Sequence, residues 1–218
     1  MWKRNSLSIV VAALFLLCLV GHSIAGWKEY NEARREHRRS ELTYTGFLGS
    51  AEFGETVFEN WESEFFQMGF YVVLTVFLRQ KGSSESKKFD EKEAVDEDPL
   101  DHRGEPGVPA VVNKGGWKLT LYKNSLSLAF VMLFLISFVG HAWAGARKYN
   151  NQQIDHGSHE RLSAVGYMQT SQFWYESLQN WQSEFLAVLS IVLLSIHLRQ
   201  FGSPESKPVH APHSQTGD

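Results

Sequence analysis

Residues 5–87 of this chain are written out a second time at residues 124–207. Asn5-Ser-Leu-Ser returns as Asn124-Ser-Leu-Ser, and Val20-Gly-His22 returns as Val139-Gly-His141. Asn60-Trp-Glu-Ser-Glu-Phe65 returns as Asn180-Trp-Gln-Ser-Glu-Phe185. Leu78-Arg-Gln-Lys-Gly-Ser-Ser-Glu-Ser-Lys87 returns as Leu198-Arg-Gln-Phe-Gly-Ser-Pro-Glu-Ser-Lys207. The offset grows from 119 to 120 residues along the way, so one residue was inserted in the middle. A repeat of this length predicts one small structural unit built twice, and it ranks residues by whether both copies keep them.

Averages conceal the distribution of apolar residues. The net charge is −3 and charged residues make up 21%, with a mean hydropathy of −0.25. Those values suit a soluble protein, yet the apolar residues fall in four blocks: Leu7–Ala25, Phe65–Leu78, Leu126–Ala144 and Phe185–Leu198. The first and third blocks carry no charged residue over 19 positions each. At 1.5 Å per residue this is about 28 Å, close to the hydrocarbon core of a bilayer.

Lys3, Arg4, the apolar stretch and Ser23-Ile-Ala25 before Gly26 also imitate a cleaved signal peptide. The second copy carries the same pattern at Ala142-Trp-Ala144 before Gly145, far from the N-terminus, which favours a helix end in both.

The second block of each copy is shorter. Counted from Trp61 or Trp181 it reaches 18 residues, about 27 Å. Trp61 and Trp181 then serve as interfacial anchors at one end, with Arg79 and Arg199 at the other. Phe53, Val57 and Trp61 are spaced four apart, so a helix is expected to begin near Ser50, outside the bilayer, and run into it.

These readings predict an all-α integral membrane protein with four transmembrane helices. They form two tandem helical hairpins related by a pseudo-twofold axis along the membrane normal. The expected organisation is a first repeat at 1–87, a disordered linker at 88–116, a second repeat at 117–207 and a disordered tail at 208–218.

Basic residues near helix ends divide eleven to eight. Lys3, Arg4, Arg79, Lys81, Lys87, Lys88, Lys114, Lys118, Lys123, Arg199 and Lys207 lie on one side. Lys28, Arg34, Arg35, Arg38, Arg39, Arg147, Lys148 and Arg161 lie on the other. The excess places both termini in the cytoplasm. The Arg34–Arg39 run, absent from the second copy, works against that orientation.

Gly21 with Ala25, and Gly140 with Ala144, are small residues four apart on one helix face, the spacing that lets helix backbones approach closely in lipid. His22 and Glu64 fall at similar depth near the same hairpin end, as do His141 and Glu184. A pseudo-twofold bundle could gather these four into a layer able to bind a divalent metal or relay a proton. Structural His–Glu pairing that locks each hairpin explains the same residues. Axial haem ligation by His22 and His141 has no other support. His210 and His213 are two ligands where a closed zinc site wants four. The single cysteine, Cys18, permits no internal disulfide.

The Arg4-Asn-Ser-Leu-Ser start, Gly21-His22, Asn60-Trp-Glu-Ser-Glu-Phe65 and the Leu78–Lys87 stretch together resemble an uncharacterised family of bacterial membrane proteins known as a domain of unknown function. That resemblance implies a bacterial inner-membrane location and no assigned activity.

No GxSxG, P-loop, HExxH or dinucleotide fingerprint occurs. The expectation is therefore a non-enzymatic membrane protein with a structural or partner-binding envelope role and no cofactor. Its partners would be the lipid bilayer and either a second copy of itself or another membrane protein, with no nucleic acid. The alternative is a small transporter or a metal- or proton-handling protein using the His–Glu layer.

Overall fold

The computed structural model describes residues 2–217, and every regular element among them is helical. Helix α1 spans Trp2–Glu36, α2 Tyr44–Leu48 and α3 Ala51–Phe77. Two 3₁₀ turns, Ala94–Asp96 and Pro99–His102, precede α4 (Ala110–Lys114) and α5 (Gly116–Lys123). Then come α6 (Ser125–Asp155), α7 (Ala164–Met168) and α8 (Ser171–His197). The order long–short–long therefore occurs twice, at α1–α2–α3 and α6–α7–α8, with α3 and α8 each 27 residues long. Even the entry to each long helix recurs. The backbone leaves helical geometry at Asn5 (φ −132°) and at Asn124 (φ −112°), immediately before each Ser-Leu-Ser.

Two helices, α1 and α6, are long and apolar enough to cross a membrane. Each extends well past its apolar block: α1 continues to Glu36 and α6 to Asp155. The stretch between the two apolar blocks of each half is consequently mostly helix, with α3 starting at Ala51 and α8 at Ser171.

The chain divides into two compact units that cut across the helices. One holds the chain up to Glu59 together with Val139–Phe173; the other holds Asn60–Phe138 and the chain from Trp174 onward.

In the first unit the connectors are tied down by backbone mimicry. Asn31 donates from Nδ2 to the Leu42 carbonyl and accepts the Leu42 N–H on Oδ1, both at 2.9 Å. Asn150 repeats this on Leu162 at 2.9 and 2.8 Å. A chain that has just left a helix carries exposed N–H and C=O groups, and a carboxamide satisfies one of each. The short helices that follow are capped alike: the Thr43 hydroxyl accepts from the Gly46 N–H and the Ser163 hydroxyl from the Gly166 N–H. Behind each clamp sits an aromatic cluster. Phe47 packs on Tyr30 and Phe53 at 5.7 and 5.4 Å, and Tyr167 on Tyr149 and Phe173 at 6.3 and 5.8 Å. Phe47, Tyr167 and Phe173 are among the most buried side chains.

Helices α3 and α6 approach closely in this unit. A Cβ on Gly140 would lie 2.6 Å from the Phe58 ring, and a Cβ on Gly54 would meet the Ala144 methyl at 3.7 Å. Ala144 is buried. Gly21, by contrast, faces open space. Of the two small-residue pairs, the one on α6 is closely packed against another helix.

In the second unit, Phe66 of α3 is the centre of an aromatic cluster. It stacks on Trp181 at 4.3 Å and meets Phe134 at 5.3 Å and Phe185 at 5.8 Å. Here too α3 and α6 touch at a glycine, since a Cβ on Gly69 would sit 2.9 Å from Phe130 Cβ.

The stretches after α3 and α8 fold into matching turns. Ser86 Oγ accepts the Gln80 N–H and Ser206 Oγ the Gln200 N–H, both at 2.9 Å. Gly82 and Gly202 occupy left-handed backbone (φ +86° and +80°), several residues beyond the helix ends. Residues of the expected tail reach back to the first turn: the Gly82 N–H donates to the Thr216 hydroxyl at 2.9 Å and Gly217 N–H to the Ser83 carbonyl at 3.0 Å. Lys207 is buried and its ammonium donates to the carbonyls of Gly82, His213 (3.1 Å) and Gln215 (2.8 Å). Burial, and then the Arg199 charge, pull this ammonium below the ordinary lysine range. In the expected linker, Lys87 pairs with Asp96 at 2.7 Å, which holds the Asp96 carboxyl below its usual range.

The contrast between the two glycines yields a direct prediction. Gly140→Ala drives a methyl into the Phe58 ring and is expected to cost about 1–3 kcal/mol. Gly21→Ala adds a methyl in free space on a helix and is expected to gain about 0.5–1 kcal/mol. Thermal unfolding of the two variants in detergent should move in opposite directions.

Candidate functional site

The most buried ionisable side chains of the first unit gather where α3 faces α6. His141 on α6 is fully buried and Glu55 on α3 is 1% exposed, and their potential ligating atoms lie within 4.8 Å of each other. Lys148, seven residues after His141 and therefore on the same face of α6, pairs with Glu55 at 3.0 Å and with Glu52 at 3.4 Å. Glu52 and Glu55 are three apart on α3, so one ammonium can reach both. The His141 ring stacks on Phe173 at 4.6 Å and meets Tyr167 edge-on at 6.5 Å. These aromatic walls enclose the imidazole, and a buried ion pair in such surroundings is strongly orienting.

The sequence-expected layer is distributed as follows. His22 and His141 both belong to the first unit, but in different settings: His22 is exposed and lies 5.6 Å from the Phe53 ring, while His141 is buried. Glu64 and Glu184 belong to the second unit and are neighbours there, Glu64 exposed and Glu184 half-buried.

The expected anchors behave differently from one another. Trp181 is half-buried and stacked on Phe66, and Trp61 is half-buried. Arg199 donates from Nη1 to the carbonyls of Ser195, Ile196 and Leu198, and from Nη2 to Ala211. It caps the C-terminal end of α8, where the unsatisfied carbonyls and the helix dipole both favour a cation. Arg79 donates to the Phe89 carbonyl at 3.3 Å and lies 5.8 Å from the Phe89 ring.

Glu52, Glu55 and Lys148 were not singled out from the sequence. Their positional counterparts are Gln172, Tyr175 and Glu29, so none recurs, and recurrence was the ranking criterion. The available signal was a different one. Glu52 and Glu55 sit on the helix predicted from Phe53, Val57 and Trp61, and Lys148 follows the apolar block of α6 in the face register of His141.

The site thus sets an imidazole and a carboxylate within 4.8 Å of each other in buried surroundings, and Lys148 fixes the carboxylate. Lys148→Met strips Glu55 and Glu52 of their shared cation and is expected to cost about 3 kcal/mol or more. Lys148→Met combined with Glu55→Gln should recover much of that loss, because no buried charge is then left facing an apolar side chain. The midpoint of denaturant-induced unfolding for the two single variants and the double variant measures this coupling.

No curated protein and no solved structure matches the chain. One family model does, over residues 1–218, and it is described as a domain of unknown function (DUF6766). The helical chain with its α3–α6 contact and repeated connector clamps therefore belongs to the DUF6766 family.

Proposed function

We propose that this chain is an integral membrane protein of the bacterial inner membrane. In this reading it is a tandem duplication of a two-helix unit with four spans and cytoplasmic termini. Its role is non-enzymatic, either structural or in binding a partner protein of the envelope. The observation that carries the proposal is the apolar surface of α1. Leu7, Leu17 and Val20 are 76%, 69% and 52% exposed, and only 6% of the apolar window of α1 is buried. An uncharged helical segment with bare leucines is stable where the surroundings are hydrocarbon. The apolar window of α6 is likewise only 17% buried.

The other two spans rest on length and pattern. At 1.5 Å per residue, α3 and α8 each reach about 40 Å, enough to cross the core from a start outside it. Exposed Phe70, Val76 and Phe77 on α3, and Leu186, Leu189 and Leu194 on α8, support lipid contact along their C-terminal halves. The recurrence of helix order, Asn clamp and hydroxyl-capped short helix supports the duplication.

A second reading, proton handling, is favoured by one observation: Glu64 and Glu184, positional counterparts on α3 and α8, are neighbours. Two carboxyl groups side by side within proposed spans are the arrangement a proton relay needs.

Membrane insertion is tested by alkaline carbonate extraction, in which the chain should stay with the membrane. In a Cys18→Ser background, Glu41→Cys should react with an impermeant thiol reagent from outside the cell, and Val108→Cys only after lysis. Release by carbonate, or labelling of Val108→Cys in intact cells, overturns the four-span reading. For the second reading, proteoliposomes carrying an imposed pH gradient are compared with and without Glu64→Gln plus Glu184→Gln. A packing role leaves gradient decay equal in both. Proton handling gives faster decay in the unsubstituted chain alone.

A further inference from the structure

The run Arg34, Arg35, Arg38, Arg39 has no counterpart in the second half and plays no part in the reading above. It ends α1 and begins the connector, beside the end of α6. A cavity of about 240 Å³ opens there, lined by Arg34, His37, Arg39, Gln152, Asp155 and His156, with Tyr30 behind. That space is several times the roughly 30 Å³ a water molecule takes in the liquid.

The lining is rich in N–H donors and short of free acceptors. Its only carboxylate, Asp155, is already ion-paired with Arg39. Arg34 donates through Nε to the Ser40 carbonyl at 2.6 Å, and its guanidinium carbon lies 5.6 Å from the Tyr30 ring centroid. These two contacts fix the plane of the guanidinium and leave Nη1 and Nη2 outside the Ser40 bond. His37 and His156, at corresponding positions in the two halves, add two imidazoles, and Gln152 adds a carboxamide.

The negative ends of α1 and α6 oppose an anion here, but the terminal carbonyls are consumed. Arg38 and Arg39 N–H groups donate to Arg35 and Arg34, and Gly157 and Ser158 N–H groups donate to Ile154 and Gln153. These are two copies of one helix-ending turn. The second uses Gly157 at its left-handed position (φ +72°); the first places Arg38 there at φ +55°. A non-glycine residue in that conformation is strained. Arg38, which lies outside the cavity, is thus set against the local backbone preference.

We infer that this cavity binds a phosphate group, recognised by the Arg34 fork together with His37, His156 and Gln152. A planar guanidinium presents paired donors that match two oxygens of a tetrahedral oxyanion, which an ammonium does not. The phosphate belongs either to a soluble phosphate compound or to a lipid headgroup. The inference goes beyond the packing role proposed above, and its soluble-phosphate arm does not depend on the membrane reading.

The test uses the full chain purified in detergent and titrated calorimetrically with inorganic phosphate and, separately, with dihexanoyl phosphatidic acid. Saturable binding of phosphate supports a soluble ligand; saturable binding of the phosphatidic acid alone supports a headgroup. Arg34→Gln should weaken binding at least about tenfold, since hydrogen bonds to a charged partner are worth about 1.5–3 kcal/mol. Arg38→Gly removes a nearby charge outside the cavity and relieves the strained turn. It should bind as the unsubstituted chain does and melt at a higher temperature. Should Arg34→Gln fail to fold, His37→Ala with His156→Ala serves as the second probe and should also weaken binding. The inference is overturned if neither probe binds saturably, or if a folded cavity variant binds as well as the unsubstituted chain.

Discussion

The close approach of α3 and α6 is the contact on which the first unit depends. With Gly140 against the Phe58 ring and Ala144 against Gly54, the helices are near enough for Lys148 to reach Glu52 and Glu55 at once. The same proximity buries His141 and Glu55. Under the membrane reading proposed above, helices gain little from hiding apolar surface from one another, so association relies on tight packing and polar contacts. Here both occur on one face of α6: small residues at 140 and 144, polar ones at 141 and 148. A bulkier residue at 140 would separate the helices and lengthen every ionic contact beyond it. Packing and electrostatics are therefore one structural feature in this part of the chain.

Much of the helical architecture was legible in the sequence, because its causes are local. Uncharged apolar blocks marked α1 and α6, and the spacing of Phe53, Val57 and Trp61 marked the start of α3. Less legible was how far helix continues past the apolar blocks. The connectors looked like loops because they are polar, yet α1 runs on to Glu36 and α6 to Asp155. A polar helix and a polar loop have similar composition, and the distinguishing signal was the terminal turn. The Asn clamp was also available, since Tyr-Asn recurs at 30–31 and 149–150, but nothing in the residue alone says that its carboxamide will meet a backbone eleven or twelve residues away.

The site was less legible for a more specific reason. Ranking residues by recurrence finds contacts that each half makes in the same way, such as the Asn clamps, the hydroxyl caps of Thr43 and Ser163 and the paired turns after α3 and α8. It cannot find a contact that one half makes only because the other differs. Lys148 faces Glu52 and Glu55, while their counterparts Glu29, Gln172 and Tyr175 offer no equivalent set of charges. The recurring histidines show the reverse case. Sequence treats His22 and His141 as equal, but the structure exposes one and buries the other: His141 is walled by Phe173 and Tyr167, whereas His22 meets the Phe53 ring at 5.6 Å and stays exposed.

Asymmetry of this kind has a physical consequence for any protein read as two copies of one unit. Identical halves can pair in more than one register with nearly equal energy, so a residue present in one half alone can select a single arrangement. Lys148 does this by matching a doubled carboxylate on α3. The arginine run is a second such difference, at a turn where glycine is the less strained choice and the second half uses it. A residue that selects an arrangement should improve local stability, as an ion pair between two helices does. Arg38 works against the local backbone instead, while Arg39 in the same run acts as Lys148 does, pairing the connector with Asp155 at the end of α6.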